Sequence, residues 1–172
     1  MNQLTIIEQQ NNYKEYIDNH RQNVLKAWNT MKTNSDCMNL ISKNLNEFAI
    51  NVIEKMIELH DLSKYSTEEF EPYRRQFYPV SPEEKESNKE AFNKAWKHHY
   101  YNNLHHWDWW HETNNEDSMS LLYVVEMVCD WEAMGYTFGH TSKEWYTKNK
   151  ENIHLGDKQR KFAEELMDII CR

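Results

Sequence analysis

The chain has 172 residues, which is enough for one domain that buries a sizeable hydrophobic core. Its 28 acidic and 20 basic residues give a formal net charge of -8, which argues against non-specific binding to nucleic acid or to an anionic membrane surface. Seven Trp, ten Tyr and six Phe supply large areas for burial, so the composition is that of a folded protein and excludes a disordered one.

Long helices with few connections are predicted along the whole chain. Only three Gly and three Pro occur, and no alternating Val, Ile or Thr segments separated by Asn-Gly-type turns are found. The sequence therefore predicts a single all-α domain, residues 1–172, folded as a helical bundle. The first three predicted helices run from about Thr5 to Thr30, from the caps in TNSD to His60, and onward from a capping box at Ser66 and Glu69. The other three run from after YPVSPEE to about His111, roughly from Asp117 to Met134, and from Asp157 to Cys171.

Three polar residues interrupt the apolar faces of the first two helices. His20 lies between Ile17 and Val24 on one stripe, and His60 continues the stripe of the second helix. Taken alone, His20 is also explained as a buried histidine that is hydrogen-bonded to a neighbour. Asp61 follows at a helix C-terminus, where the helix dipole disfavours a carboxylate. That placement indicates a positive charge nearby, and a bound cation would provide it.

The segment AWKHHYYNNLHHWDWWHE contains five histidines within 14 residues. At about 100° per residue, His99 and His106 share one apolar stripe if the helix is continuous, whereas His98 and His105 point nearly the opposite way. A break near Asn102–Leu104 would instead turn His105 inward, and periodicity leaves both arrangements open. The alternative to a metal site is an aromatic and histidine patch at an interface.

A second aspartate, Asp130, lies among the apolar residues of YVVEMVCDWEAM, where an unpaired carboxylate would be costly to bury. With Asp61 and the inward histidines, it brings the imidazole and carboxylate groups on inward faces to at least six. Such groups without thiolates suit Mn, Fe, Ni, Co or Zn, and six of them suffice for one or two ions. Glu126, four residues earlier, is interpreted either as a residue that supports a ligand or as an exposed side chain.

The order His…His-Asp…His…His…Asp on a helical scaffold resembles the HD-domain superfamily of metal-dependent phosphohydrolases. The resemblance spans residues 20–130 and implies that one ion is held by His20, His60, Asp61 and Asp130. In the two-metal branch Asp61 bridges to a second ion, for which the further candidates are His99 and His105 or His106. The stretches HDLSKYSTEEF and AWKHHYYNNLHHW also resemble a group of often phage-borne proteins, and no function comes with that likeness.

Lys64, Arg74 and Arg75 are the candidates for contact with a substrate phosphate. Lys64 lies one helical turn beyond Asp61, with which it forms the predicted catalytic pair, although an ordinary solvated lysine is an alternative. An arginine fork suits bidentate contact with phosphate. The two arginines would equally form a surface salt bridge with Glu68, Glu69 or Glu71.

The sequence thus predicts a hydrolase that cleaves a nucleotide or another small phosphoester through a metal-activated water. Two alternatives belong to other classes: a di-iron oxygenase of the same fold, and a protein that binds or sequesters a nucleotide without turnover. The predicted partner is a small phosphorylated molecule, with no membrane and no nucleic acid. The aromatic stretch HHWDWWHE leaves a homodimer open.

Cysteine usage and the N-terminus bear on localisation. Cys37, Cys129 and Cys171 are far apart and form no CxxC pair, which is typical of reduced thiols. The N-terminal MNQLTIIEQQNNYKEY has neither the basic start nor the apolar core of a signal peptide. No apolar run approaches the roughly 20 residues of a membrane span. The sequence predicts a cytoplasmic protein.

Overall fold

The computed structural model describes residues 5–46 and 48–171. These residues form ten α-helices, three short 3₁₀ helices and no strand, which confirms the predicted all-α class. The α-helices are α1 (Ile6–Thr33), α2 (Ser35–Asn44), α3 (Ala49–Leu59), α4 (Phe70–Phe77), α5 (Pro82–Ser87), α6 (Lys89–Asn102), α7 (Trp107–Glu112), α8 (Leu121–Phe138), α9 (Ser142–Asn149) and α10 (Asp157–Ile170). The 3₁₀ helices are Leu62–Tyr65, Glu116–Ser118 and Lys150–Asn152.

The chain divides into two compact units, and each is built from separate stretches of sequence. Unit 1 contains the described residues up to Asn19 together with Asp61–Asn103. Unit 2 contains His20–His60 and the described residues from Leu104 onward. The chain therefore passes from one unit to the other three times. The prediction of one domain over the whole chain stays a prediction.

Unit 1 has an aromatic core. Tyr13 and Ile17, one turn apart on α1, are fully buried, as the predicted stripe requires. Tyr73 of α4 and Ala95 of α6 complete the buried cluster. Partly buried aromatic side chains surround it: Tyr16, Tyr65, Phe70, Tyr78, Phe92 and Trp96.

Unit 2 has the larger core, and α8 is its most deeply buried helix. Ten of the 18 residues of α8 are buried, which is expected of a helix enclosed on most sides. Val24 and Trp28 of α1 and Ile53 and Ile57 of α3 belong to the same cluster. Polar side chains on α8 are therefore surrounded by apolar residues and need specific partners.

Several predicted helix boundaries were wrong. The predicted second helix is two helices, α2 and α3, because Leu45 has an extended backbone that ends α2. The predicted fourth helix is three helices, α5, α6 and α7; the division between α5 and α6 was not predicted, whereas a break after Asn102 was one of the two arrangements left open. Helix α9 was not predicted, although Thr141 and Glu144 form a capping box at its start. The predicted fifth helix begins at Leu121, since the Ser120 side chain caps it.

Two further sequence predictions can be compared with the described residues. No helix within 5–46 and 48–171 combines the length and the apolar character that crossing a bilayer requires. All three cysteines are free thiols, with Cys37 and Cys129 buried. Burial raises the pKa of Cys37 to about 11, so this group stays a thiol at neutral pH.

Candidate metal centre

Three potential ligand atoms converge inside unit 2. His20 Nε2 lies 3.3 Å from His60 Nε2 and 3.1 Å from Asp130 Oδ1, and His60 Nε2 lies 3.9 Å from the same oxygen. The circle through these three atoms has a radius of about 2.0 Å, the length of a bond from zinc to an imidazole nitrogen or a carboxylate oxygen. One ion could therefore contact all three atoms of this His20–His60–Asp130 group without moving them.

Each ligand of this group comes from a different helix. His20 lies on the buried face of α1, His60 ends α3, and Asp130 lies on α8. Arg21 fixes the end of α3, since its Nε donates to the His60 carbonyl (2.9 Å) and its NH2 group donates to the Glu58 carbonyl (2.7 Å). A cation is favourable at a helix C-terminus. The sequence did not single out Arg21.

The histidine cluster adds two imidazoles to this site in unit 2. The chain breaks between α6 and α7, which is one of the two arrangements that the sequence left open, and His105 is buried while His106 is half-buried. Ligand atoms of His105, His106 and Asp130 lie within 4.8 Å of one another. Asp130 thus belongs to two groups, with Oδ1 beside His20 and Oδ2 4.0 Å from His105 Nε2.

Glu126 lies beside the Nδ1 atoms of two imidazoles, those of His60 and His105. Its Oε1 is 2.9 Å from His60 Nδ1 and 3.3 Å from His105 Nδ1, and only 6% of the residue is exposed. Burial acts to raise the pKa of this carboxyl, but His105 and His60 outweigh burial and lower the pKa to about 2. Burial also acts to raise the pKa of Asp130, but His20, His60 and His105 outweigh it and lower that pKa. Of the two interpretations of Glu126, the exposed side chain is excluded.

Asp61 and His99 are brought together in unit 1. His99 Nε2 lies 3.4 Å from Asp61 Oδ1, and both residues are buried. Lys64 Nζ lies 2.6 Å from Asp61 Oδ2, so Lys64 provides a positive charge of the kind that the position of Asp61 indicates. Burial lowers the pKa of His99, which favours a neutral ring. Asp61 has φ of +55°, a strained conformation that proteins tend to keep at functional sites.

Glu69 in unit 1 contacts two histidines, as Glu126 does in unit 2, and these contacts were not predicted from the sequence. Its Oε2 is 2.8 Å from His99 Nδ1, and its Oε1 is 2.7 Å from His98 Nδ1. Ser63 Oγ donates to Glu69 Oε2 at 3.0 Å. The predicted capping box of Ser66 and Glu69 is wrong, because the Glu69 side chain makes no capping bond and contacts the histidines instead. Glu69 and His99 are thirty residues apart along the chain, so helical periodicity gives no indication of their contact.

The guanidinium of Arg74 is enclosed by protein acceptors in unit 1. It forms two bonds to Glu84 (2.7 and 2.8 Å), two to Glu71 (3.0 and 3.2 Å) and one to the Tyr78 carbonyl (3.2 Å). A guanidinium has five N–H donors, so none is left for a substrate phosphate. Of the two interpretations of Arg74, the salt bridge is observed, and it is buried. Arg75 also pairs with Glu71 (Nε to Oε2, 3.7 Å), but its side chain is 49% exposed and stays a candidate phosphate contact.

Comparison with known proteins places the chain in a family. The family of unknown function DUF5662 matches residues 9–172. The chain belongs to this family. The matched range includes every residue of the clusters described above in both units. Neither the curated proteins nor the solved structures provide a match to the chain.

The donor atoms in unit 2 of this DUF5662 chain are close enough together to hold a metal ion. Buried His and Asp clusters of this kind could hold a metal ion. Imidazole nitrogen and carboxylate oxygen suit Mn, Fe, Co, Ni and Zn. The Nδ1 atoms of His60 and His105 face the Glu126 carboxylate, which is how metal-binding histidines are usually oriented.

Proposed function

We propose that the protein is a metal-dependent phosphohydrolase that acts on a nucleotide or another small phosphoester. The observation that carries the proposal is the His20–His60–Asp130 group, whose three ligand atoms are spaced for one ion inside a buried site. The order of these residues along the chain also resembles the HD-domain phosphohydrolases. We propose that the reaction takes place in the cytoplasm on a small soluble substrate.

The ion is proposed to be Mn, Fe, Co, Ni or Zn, since the ligand atoms are nitrogen and oxygen only. One or two ions fit the proposal. The His20–His60–Asp130 group would hold the first, and His105 and His106 would hold a second through the other oxygen of Asp130. A divalent ion supplies Lewis-acid activation of water and of a phosphoryl oxygen when it is bound.

The residues of the chain have separate roles in this proposal. His20, His60 and Asp130 bind the ion, and Glu126 orients His60. Asp61 is proposed as the catalytic carboxylate. Lys64 Nζ lies 2.6 Å from Asp61 Oδ2, and a carboxylate paired in this way would bind a cation or accept a proton in the proposed reaction. Lys64 and Arg75 remain the proposed contacts for a substrate phosphate.

A competing explanation of the same contacts is a hydrogen-bonded network without metal, in which His20 Nε2–H donates to Asp130. The two explanations differ in metal content. Protein purified without chelator should contain at least about one transition-metal ion per chain, measured by elemental analysis. His20→Ala and Asp130→Ala should lose that ion, whereas His111→Ala should retain it, since His111 is 47% exposed and contacts Glu116 instead. Full metal content in His20→Ala would refute the proposed site.

Turnover is tested separately from metal binding. Phosphate release is measured across nucleoside monophosphates, nucleoside triphosphates and cyclic nucleotides with added Mn or Co. Asp61→Ala should abolish release. Tight nucleotide binding without product over a long incubation would instead identify a sequestering protein. Bound iron with oxygen consumption and no phosphate release would identify an oxygenase.

A further inference from the structure

One carboxylate oxygen in unit 2 serves two imidazoles. Glu126 Oε1 lies 2.9 Å from His60 Nδ1 and 3.3 Å from His105 Nδ1. The rings of His60 and His105 lie side by side, with centroids 4.5 Å apart. All three side chains are buried, so water has little access to these contacts.

These contacts fix which ring nitrogen carries the proton. An ionised carboxylate only accepts hydrogen bonds, so His60 Nδ1 is the donor in its bond to Glu126, and His105 Nδ1, at 3.3 Å from the same oxygen, is placed to donate as well. In a neutral ring, the Nε2 atom is then left with a lone pair. The Nε2 atom of His60 lies 3.3 Å from His20 Nε2 and 3.9 Å from Asp130 Oδ1, and the Nε2 atom of His105 lies 4.0 Å from Asp130 Oδ2, so both atoms lie beside the same aspartate.

We infer that Glu126 is a positioning residue that holds His60 and His105 together in the Nδ1–H form, with both Nε2 atoms directed at Asp130. The inference rests on the proposed function where it concerns metal affinity, and on the hydrogen-bond geometry alone where it concerns the rings. Because each imidazole belongs to a different group around Asp130, one glutamate supports both groups. Its removal should weaken the binding of every ion at this site.

The chain offers graded variants of this residue. Glu126→Gln retains an oxygen where Oε1 lies, so it can still accept both Nδ1–H groups. Glu126→Asp is shorter by one methylene and reaches at most one of them. Glu126→Ala accepts from neither. Glu132→Ala is the matched control, since Glu132 lies on the same helix and accepts a bond from the Ser142 N–H (3.0 Å) without contacting a histidine.

The ring protonation is read by nitrogen-15 NMR of the histidine side chains in metal-free protein. In the native chain and in Glu126→Gln, His60 and His105 should show the Nδ1–H form. His20 should show the opposite form, because its Nε2 faces the Asp130 carboxylate at 3.1 Å. Glu126→Asp should release at least one of the two rings, and it replaces Glu126→Ala if that variant does not fold. An Nε2–H signal for His60 or His105 in the native chain would overturn the inference.

Metal affinity is measured on the folded variants by titration with Co²⁺. Loss of an outer partner of a ligand typically costs about 10–100-fold in affinity, which is the loss expected for Glu126→Ala. Glu126→Gln and Glu132→Ala should stay within about tenfold of the native chain. Native affinity in folded Glu126→Ala or Glu126→Asp would show a merely structural role and would overturn the inference. A native chain that binds no Co²⁺ refutes the proposed function, while the ring spectra still decide the role of Glu126.

Discussion

Replacing Glu84 with glutamine is expected to destabilise the protein in a pH-dependent way. The Arg74 guanidinium, with help from the Val80 N–H, lowers the pKa of Glu84 from 4.5 to about 2. One pKa unit corresponds to about 1.4 kcal/mol, so the ionised carboxylate contributes about 3 kcal/mol to the free energy of unfolding at pH 7. Because 17% of the Glu84 side chain is exposed, screening by solvent reduces the expected loss to about 2–3 kcal/mol.

The sign of the pH dependence follows from the lowered pKa. The contribution of Glu84 is fully present above pH 4.5 and is lost as the pH falls from 4.5 towards 2. Urea unfolding followed by circular dichroism measures the difference between the native chain and Glu84→Gln. That difference should shrink to about 1 kcal/mol at pH 3.

A neighbouring glutamate provides the control. Glu86 lies on the same helix and pairs with Lys89, but both side chains are about 70% exposed. Glu86→Gln should therefore change the free energy of unfolding by less than about 0.5 kcal/mol. An equal loss for Glu84→Gln at both pH values, or a loss at pH 7 no larger than that of the control, would refute the reasoning.

Three further predictions concern α8, α9 and the metal. In Gly135→Ala the new Cβ would lie 2.2 Å from the His140 carbonyl oxygen, so urea unfolding should show a loss of about 2–3 kcal/mol. Gly139→Ala meets no atom within 4 Å but requires φ of +77°, and should cost only about 1 kcal/mol; equal losses would contradict the steric argument. Thr141→Ala removes the capping box with Glu144 and should cost about 1 kcal/mol, and an unchanged midpoint would show that the cap is dispensable. Chelation should lower the melting temperature, since an ion present at a hundred times its Kd adds about 2.7 kcal/mol to the free energy of unfolding. A melting temperature that changes with neither chelator nor added metal would speak against a bound ion.

The inward faces of the helices were predictable because they depend on local periodicity. Val24 and Trp28 lie on the predicted stripe of α1, and both are buried with His20. The break after α6 could only be left open, because NNLHH contains neither Gly nor Pro. In the structure, Asn103 follows α6, and its side chain bonds to the His99 carbonyl and to Ser63 Oγ. The second of these contacts joins residues forty positions apart, which periodicity does not reveal.

Glu69 and Glu126 also show that local sequence patterns do not reveal contacts formed by tertiary packing. Glu69 was interpreted as a helix cap from its spacing to Ser66, a local pattern that the structure does not use. Glu126 was left open between two interpretations, because its neighbours on α8 give no indication of histidines more than twenty residues away. The residue types of the candidate metal ligands could be predicted from the composition and from the apolar faces of the helices. The carboxylates that orient them could not, since their partners are fixed only by tertiary packing.

Because the chain crosses between the two units three times, neither unit can be isolated by cutting the chain at one position. A deletion from either end removes material from one unit and leaves stretches of both in the fragment, and no single cut separates them. Grafting the candidate centre into another scaffold would require at least two discontinuous inserts.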